Sequence, residues 1–223
     1  MRSPRDSWQV VRSHGCADDL NAQSCDALAS HMRQIRVLTP SQRALVLGPG
    51  QKTDAVDFEA LGRRQVALAR RRSGGSAVLV GPEEILWVDV VVPSGDALWQ
   101  ADLSKAARWI GDCWAASFGS EADVWRGAMR HTPWSRTVCF AGLGPGEVTI
   151  AGRKVVGISQ RRTQAGVLFQ SAVMLSWQPG DYEEMLKPPE GAASGELDAV
   201  AIGIGPQRGR QVADAFVEHL AGL

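Results

Sequence analysis

Apolar residues recur along this chain at two spacings, every second position in short runs and every third or fourth in longer ones. The switches between the two divide it into strands and helices. Trp8 to Val11 reads as a short strand. From Ala17 to Met32, Leu20, Cys25, Leu28 and Met32 return at helical spacing, with Asp18 and Asp19 suited to the first turn. Ile35 to Leu38 and Ala44 to Leu47 are apolar, and the second run stops at a Gly48-Pro49-Gly50-Gln51 turn. Asp57 to Gly62 predicts a short helix and Val66 to Leu68 a strand. Ile85 to Val92 is rich in β-branched residues, as a central strand would be. The longest helical pattern spans Asp96 to Phe118, where Trp99, Leu103, Ala106, Ile110, Cys113 and Trp114 share a face and Gly119 closes the end. Glu147 to Leu175 breaks into three strands (Glu147 to Ile150, Arg153 to Gln160, Val167 to Leu175) at Ala151-Gly152 and at Thr163 to Gly166, the pattern of an antiparallel meander. Asp181 to Leu186 is a short acidic helix and Lys187 to Gly195 a Pro/Gly/Ala linker. A strand-like Ala199 to Ile204 and a helix from Gln207 to Leu220 follow, with Val212, Ala215, Phe216 and His219 on one stripe. Strands alternating with helices predict a mixed α/β fold.

The middle strand of the meander is unusual. Strict alternation puts Lys154, Val156, Ile158 and Gln160 on one face and Val155, Gly157 and Ser159 on the other, so an ammonium stands where a half-buried strand carries an apolar side chain. Gly157 marks a place where a ligand or another backbone comes close. Lys154 and Gly157 therefore suggest a site. Inside the strand Ile85 to Val92, Asp89 is either a group that orients Lys154 or a strand-end acid facing solvent. Cys113, on the apolar stripe, reads as a core residue and not a nucleophile.

Charge changes the picture little. Lys+Arg 24 balance Asp+Glu 24, so no global field recruits nucleic acid or an anionic membrane. Locally, Arg70, Arg71, Arg72, Arg161 and Arg162 gather beside the glycine-rich and lysine stretches, and arginine forks suit phosphate or carboxylate. Arg63 and Arg64 read as a solvated face. Four cysteines (Cys16, Cys25, Cys113, Cys139) and four scattered histidines show no metal-site spacing, so no metal is expected. No signal sequence and no run of about 20 apolar residues stands out, which makes a reduced cytoplasmic setting the expectation.

Two stretches carry a family resemblance. Gly152-Arg-Lys-Val-Val-Gly-Ile-Ser-Gln-Arg-Arg162 resembles the lysine motif of the lipoate-protein ligase and octanoyltransferase family, and Arg70-Arg-Arg-Ser-Gly-Gly-Ser-Ala-Val78 resembles its Arg-Arg-x-Ser/Thr-Gly-Gly-x-Ala-Val loop. The likeness covers about Trp8 to Leu175. It implies a biotin/lipoate-ligase-like fold, a mixed and largely antiparallel sheet with flanking helices, with an acyl-transfer domain over residues 1–186 and a linker and small strand-helix appendage over 187–223. It also implies that Lys154 meets the carbonyl of the acyl group, and that Arg71, Ser73, Gly74, Gly75, Ser76, Ala77, Gly157 and Gln160 bind the substrate. Successive glycine N–H groups can form an anion-binding concavity.

Two routes fit the resemblance. In one, ATP and Mg²⁺ activate lipoate as an adenylate that a carrier lysine attacks, and the arginine density favours this route. In the other, octanoate passes through a thioester on Cys139, which stands where one octanoyltransferase branch has Cys-Phe, with no cofactor required. The partner implied is a lipoyl carrier domain, of a 2-oxoacid dehydrogenase E2 or a glycine cleavage H protein, with acyl carrier protein as a possible donor. The chain departs from the family at Val80-Gly81, where His-Asp is usual. That departure motivates a third reading, a non-catalytic acyl or lipoyl-domain binder.

Overall fold

The computed structural model describes residues 7–193 and 195–223. Its larger sheet has seven strands in the order β1-β2-β6-β10-β9-β8-β7. These are β1 (Gln9–Gly15), β2 (Gln34–Pro40), β6 (Ile85–Pro93), β7 (Ala122–Val124), β8 (Val148–Ile150), β9 (Arg153–Thr163) and β10 (Gly166–Met174). Within this sheet β1 and β2 run parallel and the other strand pairings are antiparallel. A smaller sheet, β4-β3-β5, is built from β3 (Ala44–Leu47), β4 (Ala67–Arg70) and β5 (Val78–Val80). The mixed α/β architecture expected from the sequence is the one observed.

Helices cover both faces. On one side α3 (Leu103–Phe118) and α5 (Pro206–Ala221) pack together, with the Trp114 and Phe216 rings stacked at 3.7 Å over Val90, Val148 and Phe169. On the other, α1 (Ala17–Ala27) and the small sheet bring Leu20, Val46 and Val78 against Trp87 and Met174. The short helices α2 (Phe58–Arg63) and α4 (Pro179–Met185) close the far side of the small sheet. No helix among the described residues is long and apolar enough to cross a membrane.

Several elements differ from the sequence reading. The long helix starts at Leu103, because the Asp102 carboxylate accepts the Lys105 N–H at 2.8 Å and caps it. Trp99 therefore lies outside the helix, where Arg162 sits over its ring. Residues 199–204 form no strand; Ala201 makes a single parallel bridge to Lys154. On α5 the buried stripe is Gly209, Val212, Ala213, Phe216 and Leu220, and His219 is exposed.

The lysine strand carries the difference that matters most. Val148 pairs with Val156 but Thr149 pairs with Lys154, so β9 holds one extra residue, Val155, against β8. A bulge of this kind breaks the two-residue alternation. Val155 and Val156 both enter the core under α3, and Lys154 is turned away from Val156 toward the opposite face, where Gly157 lies. The assignment of Lys154 and Gly157 to opposite faces is thus corrected by a single inserted residue.

Candidate active site

Between the two sheets lies an apolar pocket walled by Val46, Val78, Val80, Ile85, Trp87 and Ala172. It crosses three strands in register, along the rows Gly157–Ala172–Trp87 and Ser159–Gln170–Asp89. At about 4.8 Å per strand the span is roughly 10 Å. Its outer end, at β9, adjoins a more open cleft lined by Gly74, Gly75, Ser76, Ser135, Glu147, Lys154 and Gln160, with the exposed side chains of Leu103 and Met129 at the rim. Cys139 lines both spaces. This half-buried, free cysteine therefore stands at the join of the two spaces.

Each part of that junction has a local cause. The chain at Cys139 turns through a single 3-10 helical turn (Cys139–Ala141). The turn is anchored where the Cys139 N–H donates to the Ala77 carbonyl at 2.8 Å, beside the bridge between Ala77 and Val138. Arg71 is buried, and its guanidinium donates to the carbonyls of Gly74 at 3.1 Å, Val46 at 3.3 Å and Ser76 at 2.5 Å. It folds the glycine loop around itself. A Cβ added at Gly75, whose φ is +97°, would stand 2.7 Å from Arg71 Nη2 and 3.3 Å from Cys139 Sγ. Only glycine allows loop, guanidinium and thiol to meet there. The Gly48 turn buttresses the loop from outside, since a Cβ at Gly48 would collide with the Gly75 carbonyl. Gln51 holds that turn, accepting the Gly48 N–H at 3.0 Å and donating to the Thr137 carbonyl at 3.0 Å. The N–H groups of Gly74, Gly75 and Ser76 donate to no acceptor among the described residues, and all three residues line the cleft.

Lys154 is 2% exposed, and its ammonium donates to the carbonyls of Cys139 at 2.9 Å and Gly142 at 3.0 Å and pairs with Glu147 Oε1 at 2.7 Å. It also stands over the Phe140 ring, 4.9 Å from the centroid. A Cβ at Gly157 would lie 3.2 Å from Lys154 Cε and 3.3 Å from Phe140, so this glycine makes room for the lysine and the ring after the cysteine.

The remaining expected site residues divide. The Ser73 and Ser159 hydroxyls bond at 3.0 Å and tie the loop to β9. Ser76 donates to the Ser135 carbonyl at 2.6 Å, and Gln160 reaches the Leu103 carbonyl at 2.9 Å at the cleft edge. Ala77 is fully buried behind the cysteine turn. Val80 supplies apolar wall where the family pattern has histidine.

Asp89 fits neither sequence reading. It is fully buried in mid-strand, away from Lys154. It accepts from Trp87 Nε1 at 2.7 Å and Gln170 Nε2 at 3.1 Å, and Gln170 also reaches Asn21 at 3.3 Å. Burial pushes its carboxyl up to about 6, against the lowering effect of Ser24, Gln170, Trp87 and Arg36. Burial likewise raises the Cys113 thiol to about 11, which suits an inert core residue. Glu147, Gln170 and Asn21 were not singled out from the sequence. The signal for Glu147 was an acid standing between a glycine-rich loop and a buried strand. Among the described residues no group of three or more His, Cys, Asp or Glu side chains could hold a metal.

Residues 20–203 match the family described as the lipoyl protein ligase A/B catalytic domain. This chain belongs to that family. It is 27% identical, over 97% of its own length and 84% of the relative's, to the octanoyltransferase LipM of Moorella thermoacetica. Its fold resembles a bi-partite lipoate protein ligase solved from Thermoplasma acidophilum in a study of that ligase and its E2 lipoyl domain, with TM-score 0.71 and 16% identity over 96% of this chain and 84% of that one. It also resembles a lipoate-protein ligase A bound with ATP, with TM-score 0.65 and 15% identity over 97% and 100%. Family and fold make it an enzyme of lipoyl or octanoyl transfer.

Proposed function

We propose that this enzyme moves an octanoyl group from a carrier-protein thioester to a lysine of a lipoyl domain through a thioester on Cys139. The observation that carries the reading is the position of Cys139 Sγ, at the join of apolar pocket and open cleft and against the Gly75 loop. The Cys139 thiol gives its proton to solvent, the thiolate attacks the donor's carbonyl carbon, the carbon–sulfur bond to the donor breaks, and the donor leaves as a thiolate that takes a proton from solvent. The acceptor lysine, as its neutral amine, then attacks the Cys139 thioester. The amide forms, the enzyme thiolate leaves, and the ammonium proton of the intermediate passes to solvent or to the thiolate. The free N–H groups of Gly74, Gly75 and Ser76 are the donors available to the developing oxyanion, the kind of preorganised contact that dominates acyl transfer.

The adenylate route with ATP, Mg²⁺ and lipoate is the second reading. What favours it is the same row of open N–H groups, which suits a phosphate, and the fold shared with a ligase bound with ATP. Weighing against it, Lys154, the one cation lining the cleft among the described residues, already pairs with Glu147, and Arg71 is spent on carbonyls. The donor decides. Purified protein with a lipoyl-domain acceptor is offered octanoyl-loaded carrier protein without nucleotide, or lipoate with ATP and Mg²⁺. Modification with the first donor is expected. Modification with the second alone would establish the adenylate route, and binding without modification by either would establish a non-catalytic role.

A further inference from the structure

We infer that Glu147 is a positioning residue for the Cys139 nucleophile, acting through Lys154; the inference rests on the thioester reading. Glu147 is buried, and its two oxygens carry different loads. Oε1 pairs with Lys154 Nζ at 2.7 Å and accepts the Ile158 N–H at 3.1 Å, and Oε2 accepts the Gly144 N–H at 2.7 Å. One carboxylate therefore joins the glycine-rich loop that follows Cys139, the lysine, and the strand segment next to Gly157. Its own place is fixed by close packing of that loop on α3. Gly146, at φ +89°, lies so near Ala107 that a Cβ would overlap it, and a Cβ at Gly111 would strike the Gly146 carbonyl.

The consequence concerns what Lys154 does. An ammonium has three N–H donors, and here they meet three acceptors, Glu147, Cys139 O and Gly142 O. The lysine holds the cysteine turn by its backbone. Glu147 supplies the counter-charge that keeps a buried cation in that post. Neutralising Glu147 leaves the ammonium with carbonyls alone, and burial then favours loss of its proton and of one donor to the turn.

The test compares wild type with Glu147→Gln, Glu147→Asp, and the double variant Glu147→Gln/Lys154→Met beside Lys154→Met. Two rates are read on Cys139 by peptide mass mapping across pH 6 to 9: octanoylation by loaded carrier, and alkylation by iodoacetamide. Glu147→Gln is expected to slow octanoylation on the order of 100-fold, the scale of a misplaced nucleophile. The KM for the donor should change only a few-fold, and the deficit should widen as pH rises. Glu147→Asp, which keeps the charge, should restore the wild-type pH profile, and Glu147→Gln should cost nothing further once Lys154 is Met. An unchanged rate, a deficit equal at every pH, or additive losses in the double variant would overturn the inference. Alkylation needs no acyl donor, so its pH profile judges Glu147 even in a wild type that takes no octanoyl group, and that outcome would count against the thioester route instead. A Glu147→Gln protein that does not fold leaves the Lys154→Met pair and Glu147→Asp to decide by the same readings.

Discussion

Two buried carboxylates flank the site, Glu147 at the cleft on the outer side and Asp89 behind Trp87 and Gln170 on the inner side, and they are treated in opposite ways. At the outer end Glu147 meets a full positive charge at 2.7 Å and two backbone N–H groups, so the pair forms a closed unit. At the inner end Asp89 has neutral donors, Trp87 and Gln170, with Arg36 across the β2–β6 pairing but not bonded to it. Arg36 Nη1 spends its bond on Gln34 at 3.1 Å. The outer acid is committed to ionic organisation of a turn, whereas the inner acid, pushed up to about 6, changes its charge within an ordinary pH range. Burial alone does not set the behaviour of a carboxylate; the charge and count of its donors do.

Breaking the outer unit should have the larger effect. Lys154→Ala strands Glu147 without its cation, and removal of one member of a buried pair costs about 3–5 kcal/mol. Urea unfolding should show that loss together with abolished transfer. The strand has no neutral slot for Ala here, because the Lys154 side chain is 2% exposed and ion-paired. Full stability in this variant would mean that Glu147 finds another partner.

The inner end should show itself through pH. Between 3.8 and about 6 the folded protein holds a proton on Asp89 that the unfolded chain releases, so this group's stabilisation is complete below 3.8 and is lost as pH rises toward 6. The displacement corresponds to about 3 kcal/mol across that window. Asp89→Asn should remove this decline, so that the wild-type minus variant stability falls from pH 4 to 6.5; a constant difference would mean that Asp89 does not change charge on folding in that range. Thermal unfolding at several pH values reads it.

A smaller contrast separates Arg71 from Arg64. Arg71→Ala forfeits bonds to three buried or half-buried carbonyls and should cost about 2–3 kcal/mol, with a larger fall in transfer as the glycine loop relaxes. Arg64, half-exposed and paired with Asp181 and Glu184, should cost no more than about 1 kcal/mol and leave transfer unchanged. Equal losses of activity would reduce both to a common basic surface.

What could be read without coordinates follows from the range of each interaction. Alternation and helical spacing showed β6, the meander and α5, because those patterns are set by burial against one large sheet. The Arg71 loop and Lys154 were visible as unusual residues in apolar or glycine-rich settings. Their partners were not, since Lys154 meets Glu147 only because Val155 bulges out of register, and no period announces a single extra residue. Gln170 and Asn21 join Asp89 through strand register and helix placement, a relation between segments far apart in sequence. The start of α3 was misplaced because apolar spacing continued through Trp99, while the cap at Asp102 decided the boundary.

In the proposed thioester route Cys139 is the residue that carries the acyl group. Intact and peptide mass spectrometry of the protein, quenched in acid after exposure to octanoyl-loaded carrier without acceptor, tests it directly. One octanoyl increment is expected on the peptide containing Cys139, discharged when the lipoyl domain is added and absent in Cys139→Ser together with turnover. Transfer that persists in Cys139→Ser, or an increment on Cys16, Cys25 or Cys113 instead, would contradict it.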